Sequence, residues 1–172
     1  MRRELKMIIQ LRLDERLIHG QIVTAWSKAL QIGTILVAND AAAADPMRTK
    51  LLLMTAPPGI KVFVKPVKEA IKLVSDPRAD KMRILMIVNN PKDMLEIIQN
   101  APNIEAVNVA NYVHKKSANK VVISQYTQAD PEDLEIFKKI AEAHNNVFTQ
   151  LIPSYARSEF KTLVENAKPL SE

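Results

Sequence analysis

The chain has 172 residues and a net charge of +5, with 47% hydrophobic residues, 25% charged residues and a mean hydropathy of -0.09. This size predicts one domain over residues 1–172, and the composition excludes disordered, collagen-like and coiled-coil chains. No apolar run approaches the roughly 18 residues of a membrane-spanning helix, and Met1-Arg2-Arg3-Glu4 is not followed by the apolar stretch of a signal peptide, so a cytosolic chain is expected.

Cysteine is absent, which removes disulfides, thiol nucleophiles and zinc–thiolate sites together. His19, His114 and His144 lie far apart, with neither H-x-x-x-H spacing nor an acidic loop beside them, so no metal site is expected. Charge is unevenly spread. Residues 1–86 hold 15 Lys and Arg against 8 Asp and Glu, whereas residues 87–172 hold 9 against 11. A basic first half favours an anionic ligand or an acidic protein partner. Nucleic acid is disfavoured, since aromatic residues are only 5% and no base-reading motif is present. Lys61, Lys65, Lys68 and Lys72 recur at helical spacing and read as a solvated helix face.

In chain order, strands are expected at 7–13, 34–38, 60–65, 82–89, 104–109, 120–124 and 147–152, from short runs rich in β-branched residues. The unbroken apolar run at 84–88 signals burial on both faces, as in a parallel sheet covered by helices. A first helix is expected over about residues 20–30, where Ile22, Val23, Trp26 and Leu30 recur at helical spacing and Gly33 would stop it. Trp26 reads as core. Asp45-Pro46, Asn90-Pro91 and Asp130-Pro131 each place a capping oxygen before a proline suited to the first helical position, so three more helices begin there. Pro66 opens another, burying Ala70, Ile71 and Val74, and a last one is expected near 156–166 around Phe160, Leu163 and Val164. The only long segment without a clear element is 110–119. The fold class is therefore α/β: a three-layer sandwich with a mostly parallel, roughly seven-stranded sheet and helices on both faces. Gly20, Gly33 and Gly59, the only glycines, are too far apart for a dinucleotide-binding turn or a P-loop.

The chemistry concentrates in Arg12-Leu13-Asp14-Glu15-Arg16-Leu17-Ile18-His19-Gly20-Gln21, which runs off the first strand into the first helix. Open α/β sheets gather ligands outside the carboxyl ends of their strands, where a helix N-terminus offers free N–H groups to an anion. Neutral His19 would be nucleophilic, Asp14 is suited to holding one ring nitrogen as N–H, and Arg12 and Arg16 could neutralise a phosphoryl group. Transfer through a phosphohistidine needs that set and neither metal nor cofactor. A structural, hydrogen-bonding histidine is the plain alternative. His144 reads as a cation at a helix C-terminus, and His114, beside Lys115 and Lys116, as exposed.

The segment Arg12-x-Asp14-x-Arg16-Leu17-Ile18-His19-Gly20-Gln21 closely resembles the signature of the IIB components of bacterial sugar phosphotransferase systems, mannose/fructose/sorbose family. Val37-Ala38-Asn39-Asp40 with Ala44-Asp45, Ala56-Pro57-Pro58-Gly59 and Glu105-Ala106-Val107-Asn108-Val109 extend the likeness over roughly residues 7–150. The resemblance implies that His19 accepts phosphate from the phosphohistidine of a IIA protein and passes it to a sugar bound by membrane IIC/IID components. Arg16 would then stabilise charge first and Arg12 second, Asp14 would orient the ring, and the backbone N–H groups near Gly20 and Gln21 would assist. The protein would work in the cytoplasm, peripheral to the inner face of the membrane, without cofactor or nucleic acid. Where the family carries Gly-Gly-Met, this chain has Ala110-Asn111-Tyr112, which implies a reshaped loop or a left-handed Asn111. Two other readings of the residues are a stand-alone phosphate-metabolite enzyme with His19 as general base, and a non-catalytic basic binding module.

Overall fold

The computed structural model describes residues 7–113 and 118–170. Strands are β1 (Ile8–Asp14), β2 (Thr34–Ala38), β3 (Lys61–Lys65), β4 (Ile84–Val88), β5 (Val107–Val113), β6 (Val121–Ser124), β7 (Thr127–Ala129), β8 (Val147–Thr149), β9 (Ser158–Glu159) and β10 (Lys168–Pro169). Helices are α1 (Gly20–Leu30), α2 (Asp40–Ala44), α3 (Pro46–Met54), α4 (Val67–Ser75), α5 (Pro91–Asn100), α6 (Pro131–Ala143) and α7 (Phe160–Glu165), with a 3-10 turn at Pro77–Ala79. The strands join one sheet in the order β10-β6-β7-β5-β1-β4-β2-β3, and β8 also pairs with β5. Every pairing among β1, β2, β3, β4, β5, β7 and β8 is parallel, so the expected α/β architecture is the observed one. Antiparallel pairing enters only where β6, β9 and β10 are added at the periphery.

Alternation along the strands sorts the core into two layers. From β4, Ile84, Met86 and Val88 enter one cluster with α4, α5, α6 and α7, through Val67, Ala70, Val74, Met94, Ile97, Phe137, Ile140, Phe160 and Val164. Leu85 and Ile87 face the other way, into a cluster with Val23 and Trp26 of α1, Ala42 of α2 and Leu52 of α3. Two nearly perpendicular ring pairs, Tyr112 with Phe137 and Phe137 with Phe160, lock β5, α6 and α7 together.

Helix starts fall at the expected places because the caps are local. Asp45, Asn90 and Asp130 accept hydrogen bonds from the first-turn amides of α3, α5 and α6, each with its proline following. Asn39 caps the unforeseen α2 in the same way. Pro66 occupies the N-cap of α4, one residue before the first helical position, and Asp40 Oδ1 accepts the Val67 N–H at 2.8 Å in place of a local cap.

Several expectations are corrected. Gly33 does not end α1: Gln31 takes the left-handed conformation (φ 53°), and Arg83 donates to the carbonyls of Leu30 and Gln31. Lys61 and Lys65 lie on β3, an edge strand, and only Lys68 and Lys72 are helical, so the series is no helix face; lysines on an edge deter pairing with other chains. The loop expected from 110 begins as strand, for β5 continues through Val113, and Asn111 is not among the residues with positive φ. His114, Lys115 and Lys116 lie outside the described residues. The strand expected over 147–152 stops at Thr149, where the chain turns to cover the first strand's polar side chains. The helix expected from 156 starts at Phe160, after the short exposed strand β9.

Phe137 is fully buried between two aromatic neighbours, so Phe137→Ala is expected to cost about 3–5 kcal/mol, read as a lower urea midpoint with unchanged slope.

Candidate functional site

Strand β1 leads through α1 toward β2 on one side of the sheet, while its neighbour β4 leads through α5 toward β5 on the other. A crevice opens where adjacent strands send their connections to opposite faces, and the β1–α1 loop forms its wall. Asn39, Asn89 and Asn90 line the neighbouring strand ends in a side-chain hydrogen-bonded chain, with Asn89 Oδ1 accepting from both others.

An irregularity between Ile8 and Gln10 sets which way β1 faces. Ile8 packs in the same layer as Leu11 and Leu13, so the period of two is broken once and Gln10, Arg12 and Asp14 all turn toward the α1 layer. There they form a buried polar seam with Asn108 of β5, opposite Arg12 in register. Asn108 donates to Gln10 Oε1 and to the Gln150 carbonyl, and accepts the Gln150 N–H, which fastens the segment after β8 over the seam.

Arg12 has a relative exposure of 0%. Its Nη2 donates to Asp14 Oδ2 and to the Leu151 carbonyl, both at 3.2 Å, while Nε and Nη1 find no partner among the described residues. Burial pulls the Arg12 pKa below its ordinary value, and the charge and hydrogen bond of Asp14 oppose that shift. The guanidinium carbon lies 5.8 Å from the centre of the Trp26 ring, and Trp26 Nε1 donates to the same Leu151 carbonyl at 2.9 Å. Trp26 is core, as its spacing suggested, and it also staples the 150s segment to α1.

Asp14 faces the loop with its other oxygen: Oδ1 accepts the Arg16 N–H at 3.1 Å, and its carbonyl accepts the Leu17 N–H at 2.9 Å. Leu17 closes this turn at φ 60°, a conformation that costs a leucine about 1–2 kcal/mol and is held by burial of its side chain. Glu15 reaches across to accept the Val113 N–H. Thus both oxygens of Asp14 hold backbone and Arg12, and the expectation that Asp14 orients the histidine ring is corrected.

His19 is the N-cap residue of α1, in extended conformation, and caps nothing with its side chain. Its Nε2 sits 3.2 Å from Arg16 Nη1. Guanidinium nitrogens only donate, so Nε2 is the acceptor in this contact. Gly20 follows at φ +24°, which strains any other residue. Gly20 and Gln21 are exposed, their amides belong to the four that a helix cannot satisfy itself, and Gln21 lines a cleft of about 370 Å³ shared with Ile22, Ala25 and Ile152–Ser154. The structure therefore brings Arg16, His19, Gly20 and Gln21 together at the surface and places Arg12 and Asp14 beneath them.

His144 lies at the C-terminal end of α6, as expected, and its ring is held by backbone groups: Nδ1 accepts the Asn146 N–H and Nε2 contacts the Ile104 carbonyl. Among the described residues no group of three or more His, Cys, Asp or Glu could hold a metal ion.

A half-buried histidine at a helix N-terminus, faced by an exposed arginine at the switch point of a doubly wound sheet, defines an anion-handling α/β protein. Residues 8–172 match the family model described as "PTS system sorbose subfamily IIB component". A probable phosphotransferase enzyme IIB component of Streptococcus pyogenes is 38% identical over 92% of this chain and 99% of its own length. The mannose-specific EIIAB component of Escherichia coli is 34% identical over 78% of this chain, which spans 41% of that longer protein. Among solved structures, the IIBSor domain of the Klebsiella pneumoniae sorbose permease superposes with a TM-score of 0.82 at 25% identity, covering 92% of this chain and 98% of that one. This chain belongs to the sorbose subfamily of phosphotransferase system IIB components, phosphotransferases that act in sugar uptake with IIA and membrane IIC/IID partners.

Removing one member of a buried ion pair strands the other. Asp14→Ala is expected to destabilise the protein by about 3–5 kcal/mol, measured by denaturant unfolding, whereas an Arg12→Met/Asp14→Leu pair should unfold near the wild-type midpoint.

Proposed function

We propose that His19 takes a phosphoryl group from the phosphohistidine of a IIA protein and passes it to a sugar presented by membrane IIC/IID components. The observation that carries this reading is the placement of His19 as N-cap of α1 with Arg16 against its ring. In the uptake step a ring nitrogen of neutral His19 forms the new N–P bond as the donor's N–P bond breaks. His19 keeps the proton on its other nitrogen, and the donor imidazole leaves neutral. In the delivery step the sugar hydroxyl oxygen bonds to phosphorus as the His19 N–P bond breaks, the hydroxyl proton passes to water, and His19 is regenerated as the neutral imidazole.

Such transfers depend on positioning and on neutralising three equatorial oxygens. Arg16, exposed and within contact of the ring, is suited to the second task, and the amides of Gly20 and Gln21 add donors on the helix side. Arg12, shut off from solvent, acts through Asp14 as a positioning residue and not as the second charge-stabiliser. The donor and acceptor are both partners, so no cofactor is invoked. We place the reaction at the cytoplasmic face, and among the described residues no helix is long and apolar enough to cross a membrane.

Incubation with labelled phosphoenolpyruvate, the general phosphotransferase proteins and a IIA of the same family tests the reading. Wild type should acquire acid-labile, base-stable label, His19→Ala none, and Arg16→Ala should label about 10²–10³-fold more slowly. Labelling of His19→Ala at the wild-type level would refute the assignment.

A further inference from the structure

Helix α3 carries its apolar residues on the wrong side for a core. Met47, Leu51 and Met54 recur at i, i+4 and i+7 and are 69%, 57% and 73% exposed, while Leu52 alone on this helix is buried against the sheet. On a helical wheel the three exposed residues form one stripe, with Lys50 on one flank and Arg48 on the other. Exposed apolar clusters of this kind mark a surface that is covered when the protein works.

What covers it is indicated by charge. Between Asp45 and Glu69 the chain contains no carboxylate, yet it carries Arg48, Lys50, Lys61, Lys65 and Lys68. Asp45 itself is engaged by the Met47 and Arg48 amides. Helix α3 is followed directly by β3, the edge strand of the sheet, with Lys61 and Lys65 at its two ends, and Lys68 lies in the first turn of α4. An apolar stripe flanked by Arg48 and Lys50, with Lys61 and Lys65 on the adjoining edge strand and the carboxylates of Asp40 and Asp45 engaged by backbone amides, is complementary to the interface of an anionic lipid bilayer, where methionine and leucine enter between headgroups and lysine and arginine meet phosphates.

We propose that the α3–β3 flank is a lipid-docking surface that holds this carrier against an anionic membrane. The assignment is independent of His19, which caps a different helix. Helices α1 and α3 cover the same face of the sheet.

The test is co-sedimentation of the full chain with protein-free vesicles of mixed phosphatidylglycerol and phosphatidylethanolamine, against pure phosphatidylcholine. Wild type should partition onto the anionic vesicles only, and less as salt is raised. Met47→Ser/Leu51→Ser/Met54→Ser should abolish partitioning, and Lys50→Gln should weaken it roughly five-fold, the worth of about one cation at such a surface. Circular dichroism and phosphorylation by IIA should be unchanged in both variants, which separates loss of docking from loss of fold or of transfer. Absence of wild-type binding, or binding that the triple variant retains, would overturn the proposal. So would a wild-type dimer that the triple variant dissolves, which would make a second copy the occupant, or binding confined to membranes containing IIC/IID, which would make it a protein.

Discussion

A guanidinium closed off from water must be met by a carboxylate, and on the central strand Arg12 meets Asp14 two residues further on, in the same layer and equally buried. The consequences spread in two directions. Through Asp14 Oδ1 the pair fixes the Arg16 amide and hence the turn that ends at His19. Through Arg12 Nη2 it fixes the Leu151 carbonyl, and with Trp26 it closes the 150s segment over the polar seam. A buried ion pair is weak as a source of stability, because desolvation cancels most of the attraction. Its value here is geometric, since a leucine at positive φ and a half-buried histidine at a helix end without a side-chain cap are both held without any direct contact from Asp14 to the ring.

This arrangement separates two tasks that phosphoryl transfer requires. The charges that shape the loop are sealed beneath it and keep the same partners whatever docks above. Arg16, Gly20 and Gln21 are exposed around the half-buried His19, where the proposed transfer takes place. A carrier that must serve two partners in turn gains from a rigid base and an accessible tip. The basic first half attracts anions at long range, which raises encounter rate more than affinity.

How much of this could be read from residues alone follows from how local each determinant is. The Asp-Pro and Asn-Pro starts of α3, α5 and α6 were legible because cap and first turn lie within three residues, and the unbroken apolar run of β4 announced a strand covered on both sides. Likewise the segment from Arg12 to Gln21 marked the loop on which the proposed site is built. The roles within it were not legible. Which of the two buried layers Arg12 faces depends on the irregularity at Ile8 and Gln10, which no local propensity marks. The Leu151 carbonyl is a backbone group over a hundred residues away and leaves no side-chain signature. One signal was available: a core tryptophan must find an acceptor for its indole N–H, and the polar residues at 10, 12 and 14, spaced by two on a strand expected to be buried, were candidates to lie near it. Strands of two or three residues, such as β7 and β9, carry too few side chains to show a period at all.

The most direct test of the account is the initial rate of phosphoryl uptake from phospho-IIA by the Arg12→Met/Asp14→Leu protein, with its unfolding midpoint measured on the same sample. If the buried pair positions His19, this protein stays folded and takes up phosphate far more slowly than wild type, although His19 and Arg16 are both present. Uptake at the wild-type rate by the folded variant would contradict it, and would assign the geometry of the site to the exposed residues alone.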